Sequence, residues 1–161
     1  MPKMTGAEYV ARALKGYGVT HIFFVPTVWS RSLAVMDLEG TGISRIITHG
    51  EKAAVYMADG FARASGRPGI TMAQIVGGLN LAAGLRDPYL AGIPVIAFTG
   101  GYDPLLRYRH DYQEAEDFDA FKVVTKFNAY VDDVRRFPDL IRQAFRSATT
   151  GTPGPVHLRF R

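Results

Sequence analysis

The sequence predicts an α/β protein, a doubly wound parallel sheet of about six strands with helices on both faces. Three observations lead there. Short apolar runs alternate along the chain with stretches of helical spacing, the order that a parallel sheet with crossover helices requires. One run, Ile93 to Thr99, is almost continuously apolar, as expected for a strand covered on both faces. Glycine and proline punctuate the joins, at Gly40-Thr41-Gly42, at Pro68-Gly69 and between Gly151 and Pro155.

Taken in order, Thr5 and Glu8 have the spacing of a capping box. Tyr9, Val10, Ala13, Leu14 and Tyr17 then recur with a helical period that Gly18 ends. Val19 to Val25 is the first strand, stopped by Pro26, and Thr27 to Ser32 is a loop or helix start. A helix over Leu33 to Leu38 and a strand over Ile43 to Thr48 follow. Glu51 opens an alanine-rich helix that ends at Ser65-Gly66, and Gly69 to Ile75 is the third strand. Gly77-Gly78 leads a helix through Asn80 to about Ala91, before the apolar run at 93–99. Residues 102–118 are polar and aromatic without a period, and a connection of that length usually has a function of its own. Phe121 to Val131 reads as strand, Arg135 to Thr149 as an amphipathic helix, and Val156 to Phe160 as the last strand.

The 161 residues are expected to form one domain, 1–161, with room for a substantial core. Net charge is +4, but the basic residues are scattered, whereas nucleic-acid binding calls for a clustered basic face. There is no cysteine, so disulfides and thiolate metal sites are excluded. No leader pattern and no apolar run of about 20 residues is visible, so the expected setting is cytoplasmic, with no membrane and no nucleic-acid partner.

In a doubly wound sheet, ligands bind beyond the C-terminal strand ends. The residues expected there are Pro26 to Trp29, His49 to Glu51, Val76 to Asn80, and the chain from Gly100. Glu51, where a strand gives way to a helix, has two readings. It is an acid placed against the helix dipole, or a general acid/base in a dry crevice that Ala53, Ala54 and Ala58 make possible by letting the chain approach closely. Burial would raise its pKa and the dipole would lower it. Gly77-Gly78 either offers amide groups to an anion or permits close packing. His49 and His110 are candidates on the substrate side, while His21 and His157 lie within strand patterns and read as structural. The four histidines show no metal-binding spacing, and no metal site is expected. Trp29, Tyr102, Tyr108 and Tyr112 could line a pocket or an interface. Gly40-Thr41-Gly42 precedes a strand instead of following one, so it fails as a dinucleotide fingerprint, and no P-loop or nucleophile elbow is present.

Read together, the motifs carry a family resemblance. His49-Gly50-Glu51, then Ala54, Met57-Ala58-Asp59-Gly60, Ala62-Arg63 and Gly66-Arg67-Pro68-Gly69 resemble the signature of the pyrimidine-binding, N-terminal domain of thiamine diphosphate-dependent enzymes of the acetolactate synthase and pyruvate decarboxylase group. Phe23 to Pro26, Asn80, Pro94 to Gly100, Tyr112-Gln113-Glu114, Val124-Thr125-Lys126 and Gly154 to Leu158 keep the resemblance in register over essentially the whole chain. The pattern departs at three places. The family reads His-Glu where this chain has His49-Gly50-Glu51, a glycine-containing turn where it has Val25 to Val28, and Gly-Pro-Gly where it has Ile75-Val76-Gly77.

The resemblance implies a role for Glu51, which would hydrogen-bond N1′ of the cofactor's aminopyrimidine and so promote loss of the proton from thiazolium C2. The activated cofactor then attacks a 2-keto acid and serves as electron sink for decarboxylation and carboligation. It also implies that Pro26, Gly77 and Asn80 line the cofactor pocket, and that His49, His110 and Gln113 face the substrate. Magnesium and the diphosphate would be held by a further domain, whose Gly-Asp-Gly…Asn motif these residues lack. The implied partners are therefore a second copy in a homodimer, or a diphosphate-binding domain or subunit. The alternative from a different class is a regulatory or assembly subunit that keeps the fold without the chemistry.

Overall fold

A computed structural model describes residues 3–26 and 30–160. Six strands form one all-parallel sheet: β1 (His21–Phe24), β2 (Ser44–Ile47), β3 (Gly69–Ala73), β4 (Val95–Gly100), β5 (Phe127–Val131) and β6 (Val156–Phe160), in the order β2-β1-β3-β4-β6-β5. Among the described residues five α-helices join or flank them: α1 (Gly6–Gly16), α2 (Ser30–Leu38), α3 (Glu51–Ser65), α4 (Gly78–Ala91) and α5 (Phe137–Thr149). This is the doubly wound architecture that the alternation of elements predicts.

Two cores lie on opposite faces of the sheet. Because side chains alternate along a strand, Ile22, Phe24, Ile70, Met72, Ile96, Phe98 and Leu158 face one way, onto Val10 and Leu14 of α1, Met36 of α2 and Ile141 and Ala144 of α5. Phe23, Ala73, Val95 and Ala97 face the other way, onto Ala54, Val55 and Ala58 of α3 and Leu81 and Leu85 of α4. The second face is lined by smaller residues, so its helices approach more closely. A Cβ on Gly69 of β3 would stand 2.1 Å from the Ala58 carbonyl oxygen. Ala54, Ala58 and Ala62 make this approach, whereas Ala53, expected among them, is exposed.

The local signals act as their chemistry requires. Thr5 Oγ1 accepts from the Glu8 backbone amide at 3.2 Å, and the Glu8 carboxylate accepts from the Thr5 amide at 2.6 Å, completing the capping box. Helix α3 ends on Gly66, whose φ of 68° is one that glycine adopts without strain. Lys126 extends its ammonium to the carbonyls of Ser147, Thr150 and Thr152 at 2.8, 2.8 and 2.6 Å, tying the chain before β5 to the end of α5.

One sequence expectation is corrected. Phe121 to Val131 is not a single strand: Phe118–Val123 forms a 3-10 helix, and β5 begins only at Phe127. Phe121 and Val124, three apart, both turn into the core while Lys122 and Val123 face solvent, which is helical and not strand spacing. The loop reading for Thr27 and the pocket reading for Trp29 fall on residues 27–29, outside the described residues. Among the described residues, no helix is long and apolar enough to cross a membrane.

Candidate functional site

The strand order reverses between β1 and β3. The chain passes from β1 outward to β2, then α3 carries it back across to β3 on the other side of β1. At such a switch point the loops beyond the strand ends diverge and leave a crevice. Beyond β1 lie Val25 and Pro26, beyond β2 Thr48 to Gly50, and beyond β3 Gln74 to Gly77. Thr48 stays fastened to β1, its amide donating to the Phe24 carbonyl at 2.9 Å, and its hydroxyl donates to the Gly50 carbonyl at 2.9 Å. Gly50, the N-cap residue of α3, has no side chain to offer the first turn of the helix.

Glu51 is the first residue of α3, and its side chain leans onto the start of α4. Asn80 Nδ2 donates to Glu51 Oε2 at 3.2 Å. A Cβ on Gly77 would stand 2.5 Å from Glu51 Oε1, so only glycine lets the carboxylate lie where it does. Glu51, Gly77 and Asn80, three of the residues singled out in the sequence, are thus one cluster. Glu51 is half-buried, less enclosed in this chain than the dry crevice that one of its two readings supposes. Among the described residues its one side-chain hydrogen bond comes from a neutral amide, with no cation beside it.

The other candidates stand apart from that cluster. Pro26 is exposed at the same edge of the sheet, directly after β1, and His49 is exposed two residues before Glu51. His110 and Gln113 belong to the connection from β4 to the 3-10 helix and share no hydrogen bond with Glu51 among the described residues. His110 is exposed and Gln113 half-buried, with φ of 53° and 64°. Two glutamates strap that connection. Arg107 donates to Glu116 through Nε at 2.7 Å and Nη2 at 2.6 Å, and Tyr102 donates its hydroxyl to the same carboxylate. Glu114 accepts from the amides of Tyr108 and Asp111. The Arg107 bonds, with Tyr102 adding to them, hold Glu116 down at a pKa of about 2, and burial with the Glu116 contact pushes Tyr102 up to about 12. Leu105, Tyr108 and Tyr112 project from the strapped loop into solvent.

A buried polar row that sequence reasoning did not assemble runs beside the site. Asn128 Nδ2 donates to the Phe118 carbonyl at 3.0 Å, so its Oδ1 is the acceptor facing His157 Nδ1 at 2.6 Å. His157 therefore donates from Nδ1 and accepts at Nε2 from the Thr99 hydroxyl at 2.8 Å. Burial, with Arg159 nearby, keeps its pKa well below the usual value, and its ring stacks on Phe121 at 3.5 Å. Thr99 accepts in turn from Arg159 Nε at 3.4 Å, and Arg159 pairs with Asp117. The reading of His157 as structural agrees with these contacts. Arg159, 1% exposed, and Asp117, 7% exposed, carried a signal that was available: a charge inside a strand buried on both faces needs a partner.

The comparisons with known proteins accord with the fold. Residues 4–122 match the family model for the thiamine pyrophosphate enzyme, N-terminal TPP binding domain. The chain belongs to that family. It is 38% identical over 157 residues to a probable acetolactate synthase large subunit of Methanocaldococcus jannaschii, covering 96% of this chain and 26% of that protein. It is 34% identical over 152 residues to a chloroplastic acetolactate synthase of Arabidopsis thaliana, covering 94% and 23%, and 33% identical over 160 residues to an acetolactate synthase of Bacillus subtilis, covering 98% and 28%. The chain thus spans about a quarter of the length of these relatives. Their names do not favour the regulatory alternative.

Proposed function

We propose that this chain is a single pyrimidine-binding domain or subunit of a thiamine diphosphate-dependent enzyme that acts on 2-keto acids in the manner of acetolactate synthase, and that Glu51 is the residue that activates the cofactor. The observation that carries the reading is the Glu51–Asn80–Gly77 cluster at the switch-point edge of the sheet, in a chain of this family. When bound, the cofactor supplies an electron sink for decarboxylation.

The residues present fit the pyrimidine half of that group. Gly77 leaves the carboxylate room, and Asn80 gives it one neutral donor. Asn80 orients Glu51 through Oε2, which leaves Oε1 as the oxygen to hold a proton toward a ring nitrogen. Pro26 belongs to the same wall, with His49, His110 and Gln113 on the substrate side. A complementary diphosphate- and magnesium-binding domain or subunit, or a second copy in a homodimer, would cover the half-open edge and exclude water. A cytoplasmic setting belongs to the same proposal.

The test is reconstitution with the complementary half. Glu51→Gln should abolish exchange of the cofactor's C2 proton while leaving the fold intact. Calorimetry of the isolated chain with thiamine diphosphate and magnesium should give no micromolar binding, and such binding would contradict the split site.

A further inference from the structure

Helix α4 begins between two carboxylates. On one side Glu51 Oε1 lies 2.5 Å from where a Cβ of Gly77 would stand. On the other, Asp117 Oδ2 lies 2.2 Å from where a Cβ of Gly78 would stand, and Arg159 Nη2 is 3.5 Å from the same point. The backbone of two consecutive residues is therefore pinched between acids from different parts of the chain. A hydrogen on the Gly78 Cα points at Asp117 Oδ2, a contact of the weak C–H···O kind. That oxygen is buried and, among the described residues, has no hydrogen-bond partner of its own. Its place is set by Oδ1, which Arg159 holds, and Arg159 is fastened in turn by Thr99 of β4.

We propose that the Asp117–Arg159 pair positions Glu51: it braces the first turn of α4 at Gly78, and so fixes Gly77 and Asn80, the two residues against which the Glu51 carboxyl rests. The assignment gives a buried ion pair a purpose beyond stability, to which such pairs contribute little on balance. It also explains both glycines. Close packing, and not an anion site, fills the space at α4's N-terminus, and each glycine admits a different acid. The inference rests on the reading of Glu51 as the cofactor-facing acid for its significance, although not for its test.

The experiment follows the Asn80 side-chain amide and the Glu51 carboxyl carbon by NMR in the cofactor-free chain. In an Asp117→Leu/Arg159→Met variant, which removes both charges together, these signals should move by more than their linewidths. An Ile141→Val control in the opposite core should leave them in place. Signals unmoved in the folded double variant, or moved equally by the control, would overturn the proposal. Should the double variant not fold, Gly78→Ala asks the same question, since its Cβ displaces the turn from Asp117 directly, and an unmoved Asn80 amide there would equally overturn it. No cofactor enters this readout. Its failure therefore leaves the role of Glu51 standing, and unimpaired C2 exchange in Glu51→Gln would leave the bracing standing.

Discussion

Two acids flank the same turn of α4, and they are held in opposite ways. Asp117 is buried and paired with a guanidinium that is itself buried. Glu51 is half-buried and receives one neutral amide bond. A carboxylate in a buried ion pair is held in place, since moving it away would strand the cation in a medium of low dielectric. A carboxyl with a neutral donor and access to solvent is held loosely and can turn toward a ligand. The difference separates an acid built into the fold from one left open to a ligand, although both flank one helical turn.

The largest predicted effect tests the structural side of the contrast. Arg159→Met leaves Asp117 buried without its partner and should destabilise the fold by about 3–5 kcal/mol, whereas Glu51→Gln should change stability by no more than about 0.5 kcal/mol; denaturant titration of both variants compares them. Next come the paired glycines. Gly78→Ala drives a methyl into an acid that cannot move and should cost about 1–3 kcal/mol. Gly77→Ala meets an acid able to swing toward solvent and should cost less than about 1 kcal/mol. Equal costs would erase the distinction.

A third prediction concerns pH. His157 is buried neutral, with its folded pKa below the unfolded one, so the unfolded chain binds the extra proton on acidification. Its contribution is intact above the unfolded value and is lost as pH falls. Stability should decline by up to about 1.4 kcal/mol per unit below about pH 6.5, and His157→Gln should flatten that slope between about pH 6.5 and 5. A small effect is also expected for Asn80→Ala, about 0.5–1 kcal/mol for one exposed hydrogen bond, although the same change should slow cofactor activation by removing the orientation of Glu51.

The sheet was legible because parallel strands buried on both faces leave apolar runs that little else in a sequence imitates. The place of Glu51 at the head of α3 was legible because a strand, an acid and an alanine-rich helix occur in direct succession. The start of the 121–131 segment was not, since Phe121 and Val124 supply apolar residues at a spacing that only the folded chain shows to be 3-10. The Asp117–Arg159 pair joins a loop to the last strand across 42 residues, a contact that no local pattern encodes. The arginine within Val156 to Phe160 announced a buried partner without naming it. Gly77-Gly78 left packing and anion binding open, and the two facing carboxylates decide for packing.

The most direct measurement is the C2-proton exchange rate of thiamine diphosphate bound by this chain together with a diphosphate-binding partner, before and after Glu51→Gln. The account predicts that the substitution abolishes enhanced exchange while the variant keeps its stability and its assembly with the partner. Exchange at the unsubstituted rate in that folded, assembled variant would contradict it.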